Sequence, residues 1–341
     1  MIRLFFILSL FTFLKAQKIE LINQEKKDIS FRGLSIVSDS VLWVSGSKGT
    51  IGKSLDAGKT FQWFSPKGYN TVDFRDIEAF NDSCAIAMGI TEPGLLLKTT
   101  DGGKSWREIF RDETKGVFFN AIDFMSVKRG ILLGDPLDDY PYIRFSEDID
   151  NQWNELPLDL KEFFFPTLQK DEFFFAASGS NIIALNHNHM LMVTGGSQSR
   201  LIVIQENPFY EKIPIMQGNK SSGANALDYN FEHNFGIIVG GDYTQPDINT
   251  QNVALFSINF ETEEIFFSPI FKSPSGYRSS VAILNKRKAI TCGINGVDFS
   301  VDQGLHWENI SDKSFNVCKK AKQGTTVFLA GKDGNIGKLI Q

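Results

Sequence analysis

Ser54-Leu55-Asp56-Ala57-Gly58, followed by Phe61, is a turn signature that recurs along this chain at identical internal offsets and decides its fold. The other copies are Thr99-Thr100-Asp101-Gly102-Gly103 to Trp106, Ser146-Glu147-Asp148 to Trp153, and Ser300-Val301-Asp302-Gln303-Gly304 to Trp307. In such a turn the hydroxyl and the carboxylate bond to turn amides, and glycine accepts positive φ. We therefore expect a tight strand-to-strand turn at each copy, with the carboxylates serving the turn and not a ligand.

Short apolar runs of strand character surround each signature. Three runs precede the first turn, at residues 34–37, 41–44 and 50–53, and a fourth follows at 61–64. Weaker copies of the turn fit at Ser257-Ile258-Asn259, which keeps the hydroxyl, and at Ile204-Gln205-Glu206, which has lost it. Each unit therefore reads as one four-stranded antiparallel blade.

The last unit is incomplete, and this predicts how the molecule closes. Residues 315–321, 327–330 and 335–340 supply only three strands, so the fourth must come from residues 19–23 near the start. Such closure leaves no exposed sheet edge. The sequence predicts an all-β protein, a seven-bladed β-propeller closed by the N-terminal strand, with residues 18–341 forming one domain.

The start of the chain predicts export. Arg3 gives a basic beginning, residues 4–14 are apolar, and Ala16 is suitable for cleavage before Gln17, so residues 1–17 read as a signal peptide. No other stretch approaches the roughly 20 apolar residues of a membrane span. We expect a periplasmic or secreted protein that is not inserted in a membrane.

Charge and metal-ligand residues limit the possible partners. A formal net charge of −5 gives no reason to expect nucleic acid. Cys84, Cys292 and Cys318 are interpreted as buried small apolar residues, and a single disulfide between the last two is the alternative. His187 and His189 lie in an asparagine-rich turn, which favours a loop over a metal pair. No metal and no cofactor is predicted.

A second periodicity runs in phase with the turns. Each innermost strand begins with a similar pair, namely Phe31-Arg32, Phe74-Arg75, Phe119-Asn120, Ala224-Asn225, Tyr277-Arg278 and Phe315-Asn316. Because inner strands run parallel to the central channel, these polar side chains should gather at one channel mouth, away from the signature turns. The loops that carry Asp135, Arg200, Asp242 and Tyr243 should open onto the same face.

This mouth is the candidate binding site. Bidentate hydrogen bonds from guanidinium groups can hold a carboxylate or phosphate. The predicted anion-binding residues are Arg32, Arg75, Arg200 and Arg278. Asn120 and Asn225 are predicted as further hydrogen-bonding groups, with Tyr243 and Tyr277 beside them. Asp76, Asp135 and Asp242 are predicted to orient the guanidinium groups. In the alternative interpretation, these aspartates and arginines form only an internal salt-bridge network.

The turn signature resembles the Asp-box, or BNR repeat, of β-propellers such as sialidases and the photosystem II stability/assembly factor family. Segments such as Phe31-Arg32-Gly33, Gly134-Asp135-Pro136 and Gly276-Tyr277-Arg278-Ser279 look like those of exported bacterial propellers. These are variously labelled oxidoreductase-like, BNR-repeat glycosyl hydrolase-like or photosystem assembly factor-like. The resemblance spans the mature chain, but the labels disagree on chemistry.

Sialidases combine Asp-boxes with an arginine triad, a tyrosine nucleophile backed by glutamate, and an aspartate acid/base. Arg32, Arg75, Arg278, Tyr277, Glu172 and Asp76 supply the corresponding residue types. However, Tyr277 and Arg278 are adjacent, so on a regular strand they point to opposite faces. We predict a monomeric, non-catalytic binding or assembly module for a protein, a peptide or a small anionic ligand, including a glycan. A sialidase-like glycoside hydrolase using the same face is the alternative.

Overall fold

The protein is a ring of seven antiparallel β-sheets around a central channel, as seen in a computed structural model that describes residues 17–186 and 188–340. The predicted signal peptide, apart from Gln17, and His187 lie outside the described residues. Six sheets have four strands, and the fifth blade has six. The predicted seven-bladed β-propeller is confirmed.

Strands are numbered in chain order, and each blade is built from the channel outward. After β1 (Lys18–Asn23), blade 1 contains β2 (Phe31–Ile36), β3 (Leu42–Gly46), β4 (Ile51–Ser54) and β5 (Gln62–Phe64). Blade 2 contains β6 (Phe74–Ala79), β7 (Ala85–Gly89), β8 (Gly94–Thr99) and β9 (Arg107–Asp112). Blade 3 contains β10 (Phe119–Phe124), β11 (Gly130–Gly134), β12 (Tyr142–Asp148) and β13 (Gln152–Glu155).

An excursion separates blade 3 from blade 4. It contains the helix α1 (Leu158–Phe164) and the short strand β14 (Glu172–Phe173). Blade 4 then contains β15 (Ile182–Ala184), β16 (Met190–Val193), β18 (Arg200–Ile204) and β19 (Phe209–Lys212). The short strand β17 (Gly195–Gly196) lies between β16 and β18 in the chain and, with β14, extends the sheet of blade 5.

Three blades complete the ring. Blade 5 contains β20 (Ser222–Asn230), β21 (Phe235–Asp242), β22 (Val253–Asn259) and β23 (Glu264–Ser268). Blade 6 contains β24 (Ser280–Ile283), β25 (Ala289–Gly293), β26 (Gly296–Ser300) and β27 (Glu308–Ser311). Blade 7 contains β28 (Val317–Lys320), β29 (Val327–Ala330) and β30 (Ile336–Ile340), with a 3-10 turn, η1 (Lys332–Gly334), before the last strand.

The N-terminal strand completes blade 7, as the sequence predicts. Strand β1 pairs antiparallel with β30, from Lys18 opposite Ile340 to Asn23 opposite Ile336. The two ends of the described chain are therefore held in one sheet. This pairing covers the edge of β30 that would otherwise expose unpaired N–H and C=O groups.

The signature turns satisfy their own polar groups. In the first copy, Gly58 N donates to Ser54 Oγ at 2.9 Å, and Thr60 N donates to Asp56 Oδ1 at 2.9 Å. The Thr99 and Ser300 copies repeat this pattern. Hydrogen bonds from Thr60 and Ser54 lower the pKa of Asp56 to about 2. The Ser146 copy differs, because Ser146 Oγ finds no hydrogen-bond partner among the described residues.

The hydrophobic core is divided into seven clusters, one between each pair of neighbouring blades. Trp43 of blade 1 and Leu97 of blade 2, for example, belong to one cluster and are fully buried. Burying one such side chain contributes about 1.5–3 kcal/mol. Each blade is thus stabilised by both neighbours, and the ring is rigid enough to hold a site at its centre.

The cysteines belong mainly to this core. All three are free thiols, and Cys292 and Cys318 are buried in the cluster between blades 6 and 7. Burial raises the pKa of the Cys292 thiol. The buried interpretation is confirmed for these two, whereas Cys84 is only half-buried. Within the described part of the chain, no helix has the length and apolar character to cross a bilayer.

Candidate functional site: the channel mouth

A cavity of about 540 Å³ opens where the inner strands begin. Every blade contributes to its lining, through Arg32, Arg75, Phe118, Ala177, Asn225, Ser279 and Asn316. The signature turns lie at the other end of the blades, since each joins a third strand to a fourth. Residues far apart in the sequence therefore meet at one mouth of the channel.

A β-bulge redirects three of these lining side chains, those of Arg32, Arg75 and Asn225. The pairing of β2 with β3 slips between Phe31 and Gly33, which leaves Arg32 without a partner residue. Similar slips leave Arg75 and Asn120 unpaired near the starts of β6 and β10, and Asn225 unpaired within β20. A bulge bends its strand and redirects the extra side chain.

Arg32 is the cation with the least compensation in the cavity. Its Nη1 donates to the carbonyl of Ala177 at 3.3 Å, and it forms no ion pair with any described residue. Burial, and secondly the neighbouring Arg75, hold the pKa of Arg32 below its usual value. A desolvated guanidinium beside a second one is a site where a bound anion would be stabilised.

Arg75 is better compensated. Its Nε donates to Asp73 Oδ2 at 2.8 Å, and its guanidinium lies over the Phe118 ring at 5.9 Å from the centroid. The Arg75 and Asp73 side chains are 26% and 29% exposed, so part of the guanidinium stays accessible. Lys220 adds a third cation at the rim, where it pairs with Asp171 at 3.0 Å.

An aromatic and polar wall faces the arginines. The Tyr277 hydroxyl donates to Asn225 Oδ1 at 2.8 Å, and burial raises the pKa of that phenol. Tyr243 is 46% exposed and lies edge-on to both Phe175 and Tyr277, with centroids 6.1 and 6.4 Å away. The wall can therefore contact an apolar group while the arginines hold an anionic one.

Asp135 is the one carboxyl group among the described residues that line the cavity. It accepts hydrogen bonds from Asn120 Nδ2 at 2.8 Å and from Phe174 N at 3.1 Å. Burial raises the pKa of Asp135 to about 6. Asn120 itself is buried behind Asp135, so it orients this carboxyl group and does not line the cavity.

Arg278 does not reach the cavity, contrary to the sequence expectation. Ser280 pairs with Cys292, the residue before Gly293, just as Gly33 pairs with Ser45, the residue before Gly46. Arg278 therefore occupies the core position equivalent to Phe31, and Ser279 takes the position of Arg32. The Arg278 guanidinium is fully buried, where it forms an ion pair with Asp298 and donates to Asn295 Oδ1 at 2.6 Å.

Arg200 also lies outside the cavity. Its Nε and Nη2 donate to the two carboxylate oxygens of Glu172, both at 2.8 Å, and both side chains are buried. Thr194 Oγ1 donates to the same carboxylate at 2.6 Å. For Arg200 and Arg278 the structure therefore shows buried salt bridges, but with Glu172 and Asp298 in place of the expected aspartates.

Asp76 and Asp242 have other partners than the guanidiniums. Asp76 is buried, and it is one of three aspartates that link neighbouring blades. Asp76 accepts hydrogen bonds from the amides of Ile77 and Ile122. The half-buried Asp123 and Asp228 do the same with the amides of Phe124 and Ala184 and of Tyr229 and Ile283. Burial raises the pKa of Asp76 to about 7. Burial acts to raise the pKa of Asp242 too, but hydrogen bonds from Thr244 and others lower it to about 2.

The structure adds lining residues that the sequence did not single out. They include Phe118, Phe175, Lys220 and Ser279. Asn316, which the strand-start periodicity placed at the mouth, also lines the cavity. Ser279 holds the position of Arg32 in blade 6, one residue after the Tyr277-Arg278 pair that the periodicity singled out. Phe175 and Lys220 come from irregular segments, and nothing in their spacing pointed to the cavity.

No protein-family model matches this chain, and no curated protein matches it. Solved structures do resemble it. A structure of YCF48 bound to D1 peptide has a TM-score of 0.64 at 13% identity, covering 96% of this chain and 97% of that one. The structure of streptogramin B lyase also has a TM-score of 0.64, at 14% identity, covering 95% of this chain and 97% of that one.

A GH74 enzyme from Niastella koreensis has a TM-score of 0.61 at 11% identity, covering 94% of this chain and 53% of the enzyme. At such low identity these likenesses define the class of protein, a β-propeller, and nothing finer. The predicted likeness to photosystem II assembly factors is supported for the fold. Since the neighbours include enzymes and a peptide complex, the activity must be argued from the site itself.

Proposed function

We propose that this protein is a non-catalytic binding module that captures an anionic peptide or a small anionic ligand at the channel mouth. The observation that carries the proposal is the Arg32 guanidinium, which faces the cavity beside Arg75 without an ion pair among the described residues. Removing a cation from water is costly unless an opposite charge compensates. A carboxylate or phosphate of the ligand would supply that charge.

The cavity wall supports an anionic group attached to an apolar one. Its volume of about 540 Å³ lies within the range of roughly 300–1,000 Å³ that is typical of ligand pockets. Phe118, Phe175 and Tyr243 offer aromatic surface near the two arginines. A short peptide with a carboxylate side chain or terminus beside an apolar residue fits this chemistry. The YCF48 complex with D1 peptide is an example of peptide binding on this fold.

The contacts favour binding over sialidase-like hydrolysis. The Tyr277 hydroxyl donates a hydrogen bond to Asn225 Oδ1, and burial raises the pKa of the phenol. Both oppose the activation of Tyr277 as a nucleophile. Glu172, the residue expected to support it, is instead paired with Arg200. Asp76, the expected acid/base, does not line the cavity, because it accepts hydrogen bonds from the amides of Ile77 and Ile122.

Fluorescence anisotropy with three labelled peptides tests the proposal. The peptides share an apolar sequence and differ only in carrying aspartate, glutamine or lysine at alternate positions. We expect the aspartate peptide to bind the wild-type protein. The double variant Arg32→Gln/Arg75→Gln should not bind it, although its melting temperature should equal that of wild type. Arg287→Gln removes an exposed arginine outside this cavity and is the matched control.

Two outcomes would overturn this assignment. Equal binding of the aspartate peptide by wild type and by the double variant would show that Arg32 and Arg75 do not bind the peptide. Turnover of chromogenic glycosides, including sialosides, that is abolished by the same double variant would make the protein a hydrolase.

We also propose that the protein is exported and acts as a monomer. The closing strand begins at Lys18, so cleavage before Gln17 would leave the ring intact. Mass spectrometry of the N-terminus in cell-envelope, culture-medium and cytoplasmic fractions tests export, and recovery of the uncleaved chain in the cytoplasm alone would contradict it. Sedimentation of the purified protein tests the monomer.

A further inference from the structure

A second and larger cavity lies on the opposite face of the ring. Its volume is about 750 Å³, and its walls are hairpin turns of blades 3, 4 and 5. These include Asn186, Asn188 and His189 between β15 and β16, residues 204–207 between β18 and β19, and Phe260, Glu261 and Glu263 between β22 and β23. We call it the hairpin groove. It shares no lining residue with the channel mouth.

The floor of the hairpin groove is apolar. It is formed by Phe145, Leu156, Phe164, Phe165, Met190 and Ile204. Phe164 and Phe165 come from the end of α1, in the excursion that separates blade 3 from blade 4. The turn at Ile204-Gln205-Glu206 lacks the hydroxyl and the glycine of the signature turns.

Hydrogen bonds and ring contacts hold the walls in place. Gln205 Nε2 donates to the carbonyl of Phe260 at 3.2 Å, which joins the turns of blades 4 and 5. The His189 ring lies edge-on to Phe260 with centroids 4.7 Å apart, and its Nδ1 is 3.1 Å from Asn186 Oδ1. The groove is therefore formed before any ligand arrives.

The rim is acidic. Glu206, Glu261 and Glu263 line the groove, are exposed, and form no ion pair with any described residue. Glu147 also lines it, but is paired with Arg129 at 2.5 Å. His189 does not offset this charge at neutral pH, since burial lowers the pKa of its ring. The uncompensated charge around the apolar floor is negative.

We propose that the hairpin groove binds a peptide segment in which apolar side chains alternate with lysine or arginine. The apolar side chains would cover the phenylalanine-rich floor, and the cations would lie opposite the unpaired glutamates. Lysine and arginine suit this arrangement, because their apolar stems can follow the floor while the charged ends remain at the wet rim. The groove crosses three blades, which suits an extended segment.

This second site is independent of the proposed function. The channel mouth would take a negative ligand on one face, and the hairpin groove a positive one on the other. The protein would then hold two segments of opposite charge on its two faces, from one partner or from two.

Anisotropy with three labelled hexapeptides tests the groove. One alternates lysine and phenylalanine, one alternates glutamate and phenylalanine, and one alternates lysine and serine. We expect only the first to bind. Raising the salt from about 0.01 M to about 0.1 M shortens the screening length from about 30 to about 10 Å, so its affinity should fall.

Matched variants locate that binding. Binding of the lysine–phenylalanine peptide should weaken about tenfold or more in the groove variant Glu206→Gln/Glu261→Gln/Glu263→Gln. The control variant Glu20→Gln/Glu113→Gln/Glu211→Gln loses three glutamates that do not line the groove, and its affinity should equal that of wild type. Leu156→Ser should also weaken binding by removing floor surface. The Arg32→Gln/Arg75→Gln variant should bind normally, which separates failure here from failure at the channel mouth.

Three results would overturn the proposal. In the first, the two glutamine triple variants bind the lysine–phenylalanine peptide with equal affinity. In the second, the lysine–serine peptide binds wild type as tightly as the lysine–phenylalanine peptide does. In the third, the wild type self-associates and the groove variant does not. The last result would assign the groove to a second copy of this chain.

Discussion

Arg32 and Arg278 each follow an aromatic residue at the start of an inner strand, yet their environments are opposite. Arg32 faces the channel-mouth cavity without an ion pair among the described residues. Arg278 is fully buried and paired with Asp298, which is equally buried. One arginine is available to a ligand, and the other stabilises a blade.

The difference arises from strand register. Arg32 is the extra residue of a bulge, while Arg278 lies one position earlier relative to its partner strand. A shift of one residue moves a side chain to the other face of a sheet. The same residue type in the same apparent motif therefore has two roles, and four predictions test that division.

The largest effect is expected for the buried pair. Arg278→Ala leaves the Asp298 carboxylate buried without its ion-pair partner, and losing one partner of such a pair typically costs about 3–5 kcal/mol. Urea unfolding measures the loss. The double variant Arg278→Met/Asp298→Asn removes both charges and should lose less. A loss under about 1 kcal/mol for Arg278→Ala would contradict the structural role.

The next effect concerns ligand capture and separates the two cavity arginines. Arg32→Ala should weaken binding of the aspartate peptide by about tenfold to a hundredfold, because a hydrogen-bonded charged group contributes about 1.5–3 kcal/mol. Arg75→Ala should cost less, since Asp73 already compensates part of its charge. Anisotropy gives both values, and thermal unfolding should show little change. The reverse order would mean that Arg75 is the primary anion ligand.

A smaller effect is expected on the pH dependence of binding. The pKa of Asp135, raised to about 6 by burial, means that this carboxyl group gains a proton as the pH falls from about 7 to about 5. Protonation removes the one negative charge among the described lining residues, so the aspartate peptide should bind several-fold more tightly at pH 5. In Asp135→Asn the affinity should be independent of pH in this range. Weaker binding of wild type at pH 5 would contradict the assignment.

The smallest expected effect is a gain in affinity for the aspartate peptide. Asp73→Asn removes the carboxylate that holds Arg75 Nε at 2.8 Å, which frees the guanidinium for a ligand. Exposed ion pairs contribute only about 0–1 kcal/mol, so we expect binding to tighten by at most about fivefold. Asp171→Asn makes the same change at the Lys220 pair on the rim and serves as the comparison. Weaker binding in Asp73→Asn would show that the carboxylate positions Arg75 instead of competing for it.

Much of the fold could be predicted because propellers repeat. The signature turns at Asp56, Asp101, Asp148 and Asp302 each join a third strand to a fourth, as their spacing indicates. The missing strand of the last blade predicted the closure by β1. The excursion with α1 and the extra strands β14 and β17 was not predicted, because it occurs once and has no repeat to reveal it.

The candidate site was only partly predictable. Arg32, Arg75, Asn225, Tyr243, Tyr277 and Asp135 do line one cavity. Arg200 and Asp76 do not, because Glu172 binds the first and the amides of blades 2 and 3 bind the second. These partners are distant in the sequence, so their spacing carried no signal.

The sequence by itself determined the number of blades, the turn chemistry and the gathering of four of the six strand-start polar residues at one mouth, since these follow from local patterns repeated in phase. Only the tertiary structure decided which charges are neutralised inside the protein and which remain for a ligand. Local patterns act between neighbours along the chain. Charge compensation depends on groups that only the closed ring brings within hydrogen-bonding distance.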